Sequence, residues 1–172
     1  MINKPEKIIK RIIKAVGQRQ STLLTGTWEK SLIKGIQENQ NAITQGQDLL
    51  QYEDNCFTRI IADYNNSVAS NTTVFFNEAR RLLLPTGMII ISANCEDGIL
   101  DKLLKLFKKK NINKETITRI KPKVLQDQIH DNGFLIDGYY GYPEGHLLMM
   151  AQIINKEVTT LFTSDKQETI KL

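Results

Sequence analysis

The sequence predicts an α/β domain built on one mostly parallel sheet with helices on both faces. Two observations carry this prediction. Amphipathic helical stretches alternate with short apolar runs along most of the chain, and this order is typical of parallel sheets covered by helices. In the clearest example, residues 76–91, an amphipathic helix is followed by Pro-Thr-Gly and the apolar run Met-Ile-Ile-Ile. A run this apolar predicts a buried strand, and the whole stretch predicts one strand-adding unit.

The bulk composition fits a single globular domain. The chain has 172 residues and is 41% hydrophobic, which is enough to bury a core without disulfides or metals. We expect one domain over residues 1–160 and a frayed tail over 161–172. No apolar run approaches the roughly 18 residues that a membrane helix needs, and Lys and Arg interrupt the N-terminal apolar positions. These features favour a soluble, cytoplasmic protein that does not contact membranes.

Charge and cysteine content exclude several functional classes. A net charge of +4 is small, so nucleic acid is not the expected partner. Cys56 and Cys95 belong to no Cys-x-x-Cys motif, and in an intracellular compartment we expect both to be free, buried thiols. The two histidines, His130 and His146, have no Cys or paired carboxylates at ligand spacing, so no metal site is predicted.

The first half of the chain contains two helices and three strands by pattern. Residues 5–16 place isoleucines and a valine on one stripe of a helix that begins at Pro5 and ends at Gly17. The expected elements that follow are a strand at 21–27, a helix at 28–39 and strands at 41–47 and 56–64.

The second half continues the alternation. After the third strand we expect a polar loop over 65–73, a helix over 74–84, a Pro-Thr-Gly turn and a strand over 87–93. The remaining expected elements are a lysine-rich helix over 98–111, a helix over 122–132 that Gly133 ends, and an antiparallel pair of strands within 134–155.

Three stretches resemble class I S-adenosylmethionine-dependent methyltransferases, of the type 11-like kind. Residues 76–91 resemble the segment before the fifth strand of that family. Residues 45–64 resemble the passage from its third to its fourth strand, and residues 121–141 resemble its last helix and sixth strand. The matching positions are Gly46, Asp48, Tyr52, Asp54, Phe57, Ile60, Ile61, Glu78, Ala79, Arg80, Leu82, Leu83, Pro85, Thr86, Gly87, Leu125, Ile129, Gly133 and Phe134. The resemblance implies a Rossmann-like methyltransferase-type sheet with an antiparallel C-terminal hairpin.

The chain lacks the Gly-rich cofactor loop of the family, (D/E)-x-G-x-G-x-G. Its best remnant is Thr25-Gly26-Thr27. In one register, 21–26 matches the family's second strand, and the first strand with its loop is missing. A competing register makes 21–26 the first strand, but it leaves few residues for two more strand-helix units before Phe57. The element count favours the first register, in which the carboxylate that holds the ribose falls on Trp28 or Glu29.

The resemblance also implies a set of site residues. Gly26 and Glu29 would flank the ribose of S-adenosylmethionine, and Asp48 and Leu49 would lie at its adenine. A substrate would face Asp63, Tyr64, Asn65 and Asn66, which follow a central strand at the edge where open sheets bind ligands. The asparagines also fit a plain turn, and the stretch is not the Asn/Asp-Pro-Pro-Tyr box of amino-methylating enzymes.

A second candidate site lies in the C-terminal hairpin. Tyr139, Tyr140, Tyr142 and His146 cluster around a Gly/Pro-rich connection. They fit an aromatic lip for a substrate, with His146 as a general base, or tyrosines that pack over the sheet edge.

Two functions remain open at this point. The missing loop favours a non-catalytic binding or scaffold subunit with weak or lost S-adenosylmethionine binding. Such a subunit would work as a homo-oligomer or with a partner chain, because a lost strand leaves backbone groups unpaired. The alternative is an active S-adenosylmethionine-dependent methyltransferase on an unidentified small-molecule or macromolecular substrate, which would act mainly by positioning.

Overall fold

A computed structural model describes residues 6–46, 48–95, 119–142 and 145–154. The helix expected over 98–111 and the tail expected over 161–172 lie outside these residues. The elements in chain order are α1 (Glu6–Val16), β1 (Ser21–Thr25), α2 (Lys30–Glu38), β2 (Ala42–Gln45), a 3-10 turn (Leu49–Gln51), β3 (Phe57–Asp63), a π-helical turn (Tyr64–Val68), α3 (Thr72–Leu82), β4 (Leu83–Asn94), α4 (Pro122–Asp131), β5 (Phe134–Gly141) and β6 (His146–Ile153).

The six strands form one sheet in the order β2-β1-β3-β4-β6-β5. β2, β1, β3 and β4 are parallel, whereas β6 runs antiparallel to both β4 and β5. The predicted mostly parallel sheet with an antiparallel C-terminal hairpin is therefore confirmed. The chain moves outward from β1 to β2 and then returns to the other side of β1 for β3. The strand order thus reverses between β1 and β3, which is where doubly wound sheets bind ligands.

Two hydrophobic layers cover the sheet. Side chains alternate along β3, so Ile60 and Ala62 join the layer of α3 and α4, and Ile61 joins the layer of α1 and α2. Helix α1 has the periodicity that the sequence predicted, with Ile8, Ile9, Ile12 and Val16 buried and Gly17 at φ +81° after its last residue.

The position of α1 favours the competing register. Helix α1 packs against α2. The contact is close at Gly35 of α2, where an added Cβ would collide with the Ile13 side chain of α1. Its other side reaches β5, where the Arg11 guanidinium lies 3.8 Å from the centre of the Tyr140 ring. A helix leading from a missing strand into β1 would cover the β1 side of the sheet instead. Strand β1 thus takes the place of a first strand, and the shortening falls between β2 and β3.

The connection from β2 to β3 contains no α-helix among its described residues. Parallel strands are usually joined by a crossover of a dozen or more residues, most often helical. Ten of the eleven residues between Gln45 and Phe57 are described, and the regular element among them is the 3-10 turn. Leu49 and Tyr52 pack into the layer of α3 and α4. Tyr52 also contacts Phe57 edge-on, with ring centres 5.4 Å apart.

Arg81, in the last turn of α3, holds this connection in place. Its guanidinium donates to the Tyr52 carbonyl at 2.8 Å and to the Leu49 carbonyl at 3.1 Å. It also pairs with the carboxylates of Asp54 at 2.6 Å and Glu78 at 2.7 Å. The hydrogen bonds that Arg81 donates to Glu78 and Asp54 raise the pKa of its guanidinium further above the usual value. One side chain therefore supplies partners for backbone groups that a crossover helix would have satisfied internally.

Two local expectations were wrong. The polar stretch 65–73 is not a plain loop, because residues 64–68 form the π-helical turn and α3 already begins at Thr72. Pro85, Thr86 and Gly87 do not separate helix from strand. Strand β4 begins at Leu83, and residues 84–87 bulge from it opposite the single residue Thr58. The residues of such a bulge are left out of the strand pairing, which resumes after it. The missing N–H of Pro85 therefore leaves no hydrogen bond of the sheet unmade.

Replacing Arg81 with methionine should lower the melting temperature by several degrees. The backbone carbonyls of Leu49 and Tyr52 and the two paired carboxylates would lose the donor that they share. Thermal unfolding followed by circular dichroism measures the change. Arg80→Met is the matched control, since Arg80 is exposed and makes only a 3.5 Å contact with the Asn132 carbonyl. Equal melting temperatures for the two variants would contradict the role assigned to Arg81.

Candidate functional site

The candidate site lies at the carboxyl ends of β1 and β3, where the strand order reverses. Gly26 follows β1, and Asp63 is the last residue of β3. The π-helical turn (Tyr64–Val68), named here the crevice turn, begins directly after Asp63 and lies over this end of the sheet. In an open sheet this position is a crevice.

The crevice turn packs directly against Gly26. A Cβ added to Gly26 would lie 2.9 Å from Ser67 Oγ, 3.2 Å from Asp63 Cβ and 3.5 Å from Asn66 Cβ. The Thr25 hydroxyl, on the neighbouring residue, donates to Ser67 Oγ at 3.0 Å. Gly26 has φ +99°, a conformation that side-chain-bearing residues rarely adopt. The end of β1 is therefore joined to the turn after β3 by a hydrogen bond and by close packing.

Asp63 organises the start of the crevice turn. Its carboxylate accepts hydrogen bonds from the backbone N–H groups of Asn65 at 3.2 Å and Asn66 at 3.3 Å. The Asn66 side-chain amide donates to the same oxygen at 3.2 Å. These bonds make Asp63 the capping residue of the turn, as expected of an aspartate at such a position.

Two side chains anchor the crevice turn in the layer of α3 and α4. Val68 is fully buried, and Tyr64 is 6% exposed. The Tyr64 hydroxyl donates to Gln128 Oε1 of α4 at 3.2 Å, so Tyr64 points away from the crevice. Asn65 is half-buried, and its Oδ1 is buried without a hydrogen-bond partner. Asn66 is exposed.

The two residues considered for the ribose carboxylate have different surroundings. Trp28 is 8% exposed and lies in the layer of α1 and α2, where its indole N–H donates to the Thr25 carbonyl at 3.0 Å. Glu29 is half-buried and precedes α2, and its carboxylate accepts from the Ser31 hydroxyl at 3.3 Å. A buried indole cannot bind ribose hydroxyls as a carboxylate does.

The two residues expected at an adenine follow β2. Asp48 is exposed, and its carboxylate accepts from the Leu50 backbone N–H at 3.0 Å, which caps the 3-10 turn. Leu49 is buried at 8% exposure and packs in the layer of α3 and α4. Of this pair, Asp48 alone is available to a ligand.

Tyr140 and His146 lie at the same edge of the sheet but farther along it. His146 pairs with Asn94 at the end of β4, and Tyr140 pairs with Leu148 of β6. The Tyr140 ring stacks on Arg11, so it covers α1 and does not face Asp63. Strands are about 4.8 Å apart, so β6 lies about 10 Å and β5 about 14 Å from β3. The edge is shared, but these residues do not converge with Asp63.

Cys95 lies just past the end of β4 and is buried at 7% exposure. Burial raises the pKa of its thiol to about 11, which keeps it protonated and unreactive near neutral pH. Within the described residues no three His, Cys, Asp or Glu side chains lie together as a metal site would require. No helix among them is long and apolar enough to cross a membrane.

Sequence reasoning missed Thr25 and Ser67, the pair that joins the two strand ends. Thr25 lies beside the remnant of a glycine loop, and Ser67 follows the asparagines predicted to face a substrate. The available signal was Val68, a lone apolar residue inside a polar run. Such a residue indicates that the run is anchored in the core, which places its neighbours against the sheet.

No protein-family sequence model matches this chain, and no curated protein matches its sequence. Solved structures do match its fold.

The 1,6-didemethyltoxoflavin-N1-methyltransferase of Burkholderia thailandensis, solved with bound 1,6-didemethyltoxoflavin and S-adenosylhomocysteine, is 12% identical. The match covers 87% of this chain and 78% of that chain, with a TM-score of 0.65. A SAM-dependent methyltransferase from Aquifex aeolicus is also 12% identical, with 87% and 94% covered and a TM-score of 0.58.

A third structure is a complex of the Haloferax volcanii Trm112 methyltransferase activator with a protein assigned as a methyltransferase. That match is 11% identical, covers 85% of this chain and 88% of that chain, and has a TM-score of 0.55. At these identities the likeness is one of fold. The chain has the fold of class I S-adenosylmethionine-dependent methyltransferases, as the sequence resemblance implied.

Gly26→Ala should destabilise the protein by about 2 kcal/mol, because the new Cβ requires a strained φ and meets Ser67 Oγ at 2.9 Å. Urea unfolding measures the difference in unfolding free energy. Gly141→Ala is the control, since a Cβ there has nothing within 4 Å, and its cost should stay within roughly 0.5 kcal/mol. A Gly26→Ala variant as stable as Gly141→Ala would show that the crevice turn yields easily.

Proposed function

We propose that this methyltransferase-fold protein binds S-adenosylmethionine weakly or not at all and works as a non-catalytic binding or scaffold subunit. The observation that carries the proposal is the packing of the crevice turn against Gly26. A doubly wound sheet binds its nucleotide-bearing cofactor in the crevice where the strand order reverses. In this chain Ser67, Asp63 and Asn66 lie within 3.5 Å of the position that a Cβ on Gly26 would take, at the same end of the sheet.

The loop after β1 supports the same proposal. Glycines in a cofactor loop let the backbone approach the ligand closely. Here Gly26 uses its missing side chain to admit Ser67, and two residues later the chain places the bulky Trp28 in the core. Gly26, the only glycine of the loop, is therefore already in contact with Ser67. The loop has no other glycine at which its backbone could approach a ligand closely.

The anchoring of the crevice turn makes displacement by a ligand costly. Val68 is fully buried, and Tyr64 bonds to Gln128 from a buried position. A cofactor that entered between β1 and β3 would have to move both side chains or break the Thr25–Ser67 hydrogen bond. Exposing buried apolar side chains of this size costs roughly 1.5 to 3 kcal/mol each, which a ligand would have to offset.

A second function is favoured by two specific observations. The exposed carboxylate of Asp48 follows β2 and lies 22 positions after Gly26, close to the spacing of about 20 between a dinucleotide loop and its ribose carboxylate. Asn65 Oδ1 is a buried acceptor without a partner. Both features fit an active S-adenosylmethionine-dependent methyltransferase in which Asp48 holds the ribose, and a substrate amine or hydroxyl group would meet Asn65.

Calorimetric titration with S-adenosylhomocysteine separates the two functions. We expect no saturable heat and no rise in melting temperature at millimolar ligand, because the crevice is occupied. The Burkholderia thailandensis enzyme, whose structure contains S-adenosylhomocysteine, is the positive control. Saturable binding to this chain at micromolar concentration would refute the non-catalytic proposal and favour the enzyme.

A scaffold role also needs a surface for another chain. In the described part of the sheet, β2 has a neighbouring strand on one side only, and so does β5. Strand β5 also exposes two large apolar side chains, Leu135 at 63% and Tyr139 at 62%. Edge strands with exposed apolar groups favour pairing with a further chain. We take a second copy of this chain as the occupant of the β5 edge.

Light scattering coupled to size exclusion tests the self-association. We expect a mass of about twice the 19.7 kDa of the chain. Tyr139→Lys should shift the protein towards monomer, because a charge is introduced at the proposed contact. Val74→Lys is the control, because Val74 is an exposed apolar residue outside the proposed contact. Tyr52→Lys would not serve, because Tyr52 packs against the core. A monomeric wild-type protein at all concentrations would refute the homo-oligomer.

A further inference from the structure

Arg59 is a charged residue in the interior of the sheet. It is the third residue of β3 and lies between Thr22 of β1 and Met88 of β4 in the strand register. Residues two apart on a strand share a face, and Ile61 belongs to the layer of α1 and α2. Arg59 therefore enters that layer, at the amino end of the parallel strands.

The hydrogen-bonding capacity around Arg59 is incompletely used. Its Nη1 donates to the Thr58 carbonyl at 2.8 Å, whereas its Nε is buried without a partner. The Thr22 hydroxyl, from the residue opposite on β1, is also buried without a partner. Burial lowers the pKa of Arg59, although an arginine stays charged at any physiological pH. The half-buried guanidinium thus has donors to spare.

Among the described residues, no carboxylate forms an ion pair with Arg59. The ion pairs found among the described residues involve other basic groups, chiefly Arg81 and lysines of the helices. The row of residues across the sheet at this level continues from Met88 to Gln152 and is otherwise uncharged. A half-buried charge without a counter-ion destabilises the fold, and an anion that reaches it recovers part of that free energy.

The segment that covers this layer carries an excess of basic side chains. Residues 6–38, which contain α1 and α2, carry seven basic and three acidic side chains, a net charge of +4. The whole chain also has a net charge of +4, so the remaining residues balance one another. A local excess of positive charge raises the concentration of small anions at that face.

This location is separate from the crevice. Arg59 precedes Asp63 by four residues on the same strand, which places them about 13 Å apart along β3. They also face different ends of the sheet, since Asp63 stands at the carboxyl end. An anion at Arg59 would not depend on whether the crevice accepts a cofactor.

We propose that Arg59, at the amino end of β3 on the face covered by α1 and α2, binds a small anion through a phosphate or carboxylate group. The planar guanidinium offers two parallel N–H donors, which suit both groups. The Thr22 hydroxyl is the second donor, reached when the side chains adjust around the anion.

Thermal shift titrations with pyrophosphate and with citrate test the proposal and distinguish the two groups. The reference titration uses sodium chloride at the same ionic strength, since salts also stabilise proteins by exclusion from the surface. We expect a saturable rise in melting temperature with one of the two anions. Arg59→Met should abolish the saturable part, and Arg59→Lys should raise the half-saturating concentration about tenfold.

Arg80→Met is the matched control, because Arg80 is an exposed arginine on α3, which covers the opposite face. Its titration should equal that of the wild-type protein. A response that is as large in Arg59→Met as in the wild type would overturn the proposal, as would the absence of any saturable response to both anions. If Arg59→Met unfolds, the comparison of Arg59→Lys with the wild type decides the question in the same way.

Discussion

The return of the chain from β2 to β3 is the constraint on which the rest of the fold depends. The chain must cross β1 and come back to the amino end of the sheet in eleven residues, with no α-helix among the described ones to satisfy its backbone. Arg81 makes this possible by donating to two carbonyls of the connection and pairing with Asp54. Because Arg81 belongs to α3, the crossover, α3 and the start of β4 are held as one unit.

The same unit explains the state of the candidate site. Helix α3 begins four residues after the crevice turn ends, and both bury apolar side chains in one layer. The connection holds α3, and Val68 is buried in the core. Between these two anchors the crevice turn packs against Gly26. The contact between the crevice turn and Gly26 is therefore a property of how β3, the turn and α3 pack together. It does not arise from the loop after β1 alone.

Most of the fold could be predicted from periodicity, because most helices and strands show their buried face in local sequence, although β2 contains no buried residue. The stripe of α1 and the apolar run of β4 are examples. The role of Arg81 could not be predicted, since its partners in the connection lie 27 to 32 residues away and an arginine in a last helical turn usually faces solvent. Strand order led to the prediction that site residues follow the carboxyl ends of the strands, whereas their contacts depend on tertiary packing. Trp28 belongs to the core, and Tyr140 turns towards Arg11. Whether any of them binds a ligand stays a prediction.

The contact between the crevice turn and Gly26 has a consequence for engineering this chain. Introducing glycines at Thr27 and Trp28 would not by itself clear the space beside Gly26, because Ser67 and Asn66 approach it from the turn after β3. Loss of the buried indole would also leave a cavity that costs about 3 to 5 kcal/mol. Clearing that space would require simultaneous changes after β1, in the turn and beneath Val68. Each change alone lowers stability without clearing the space.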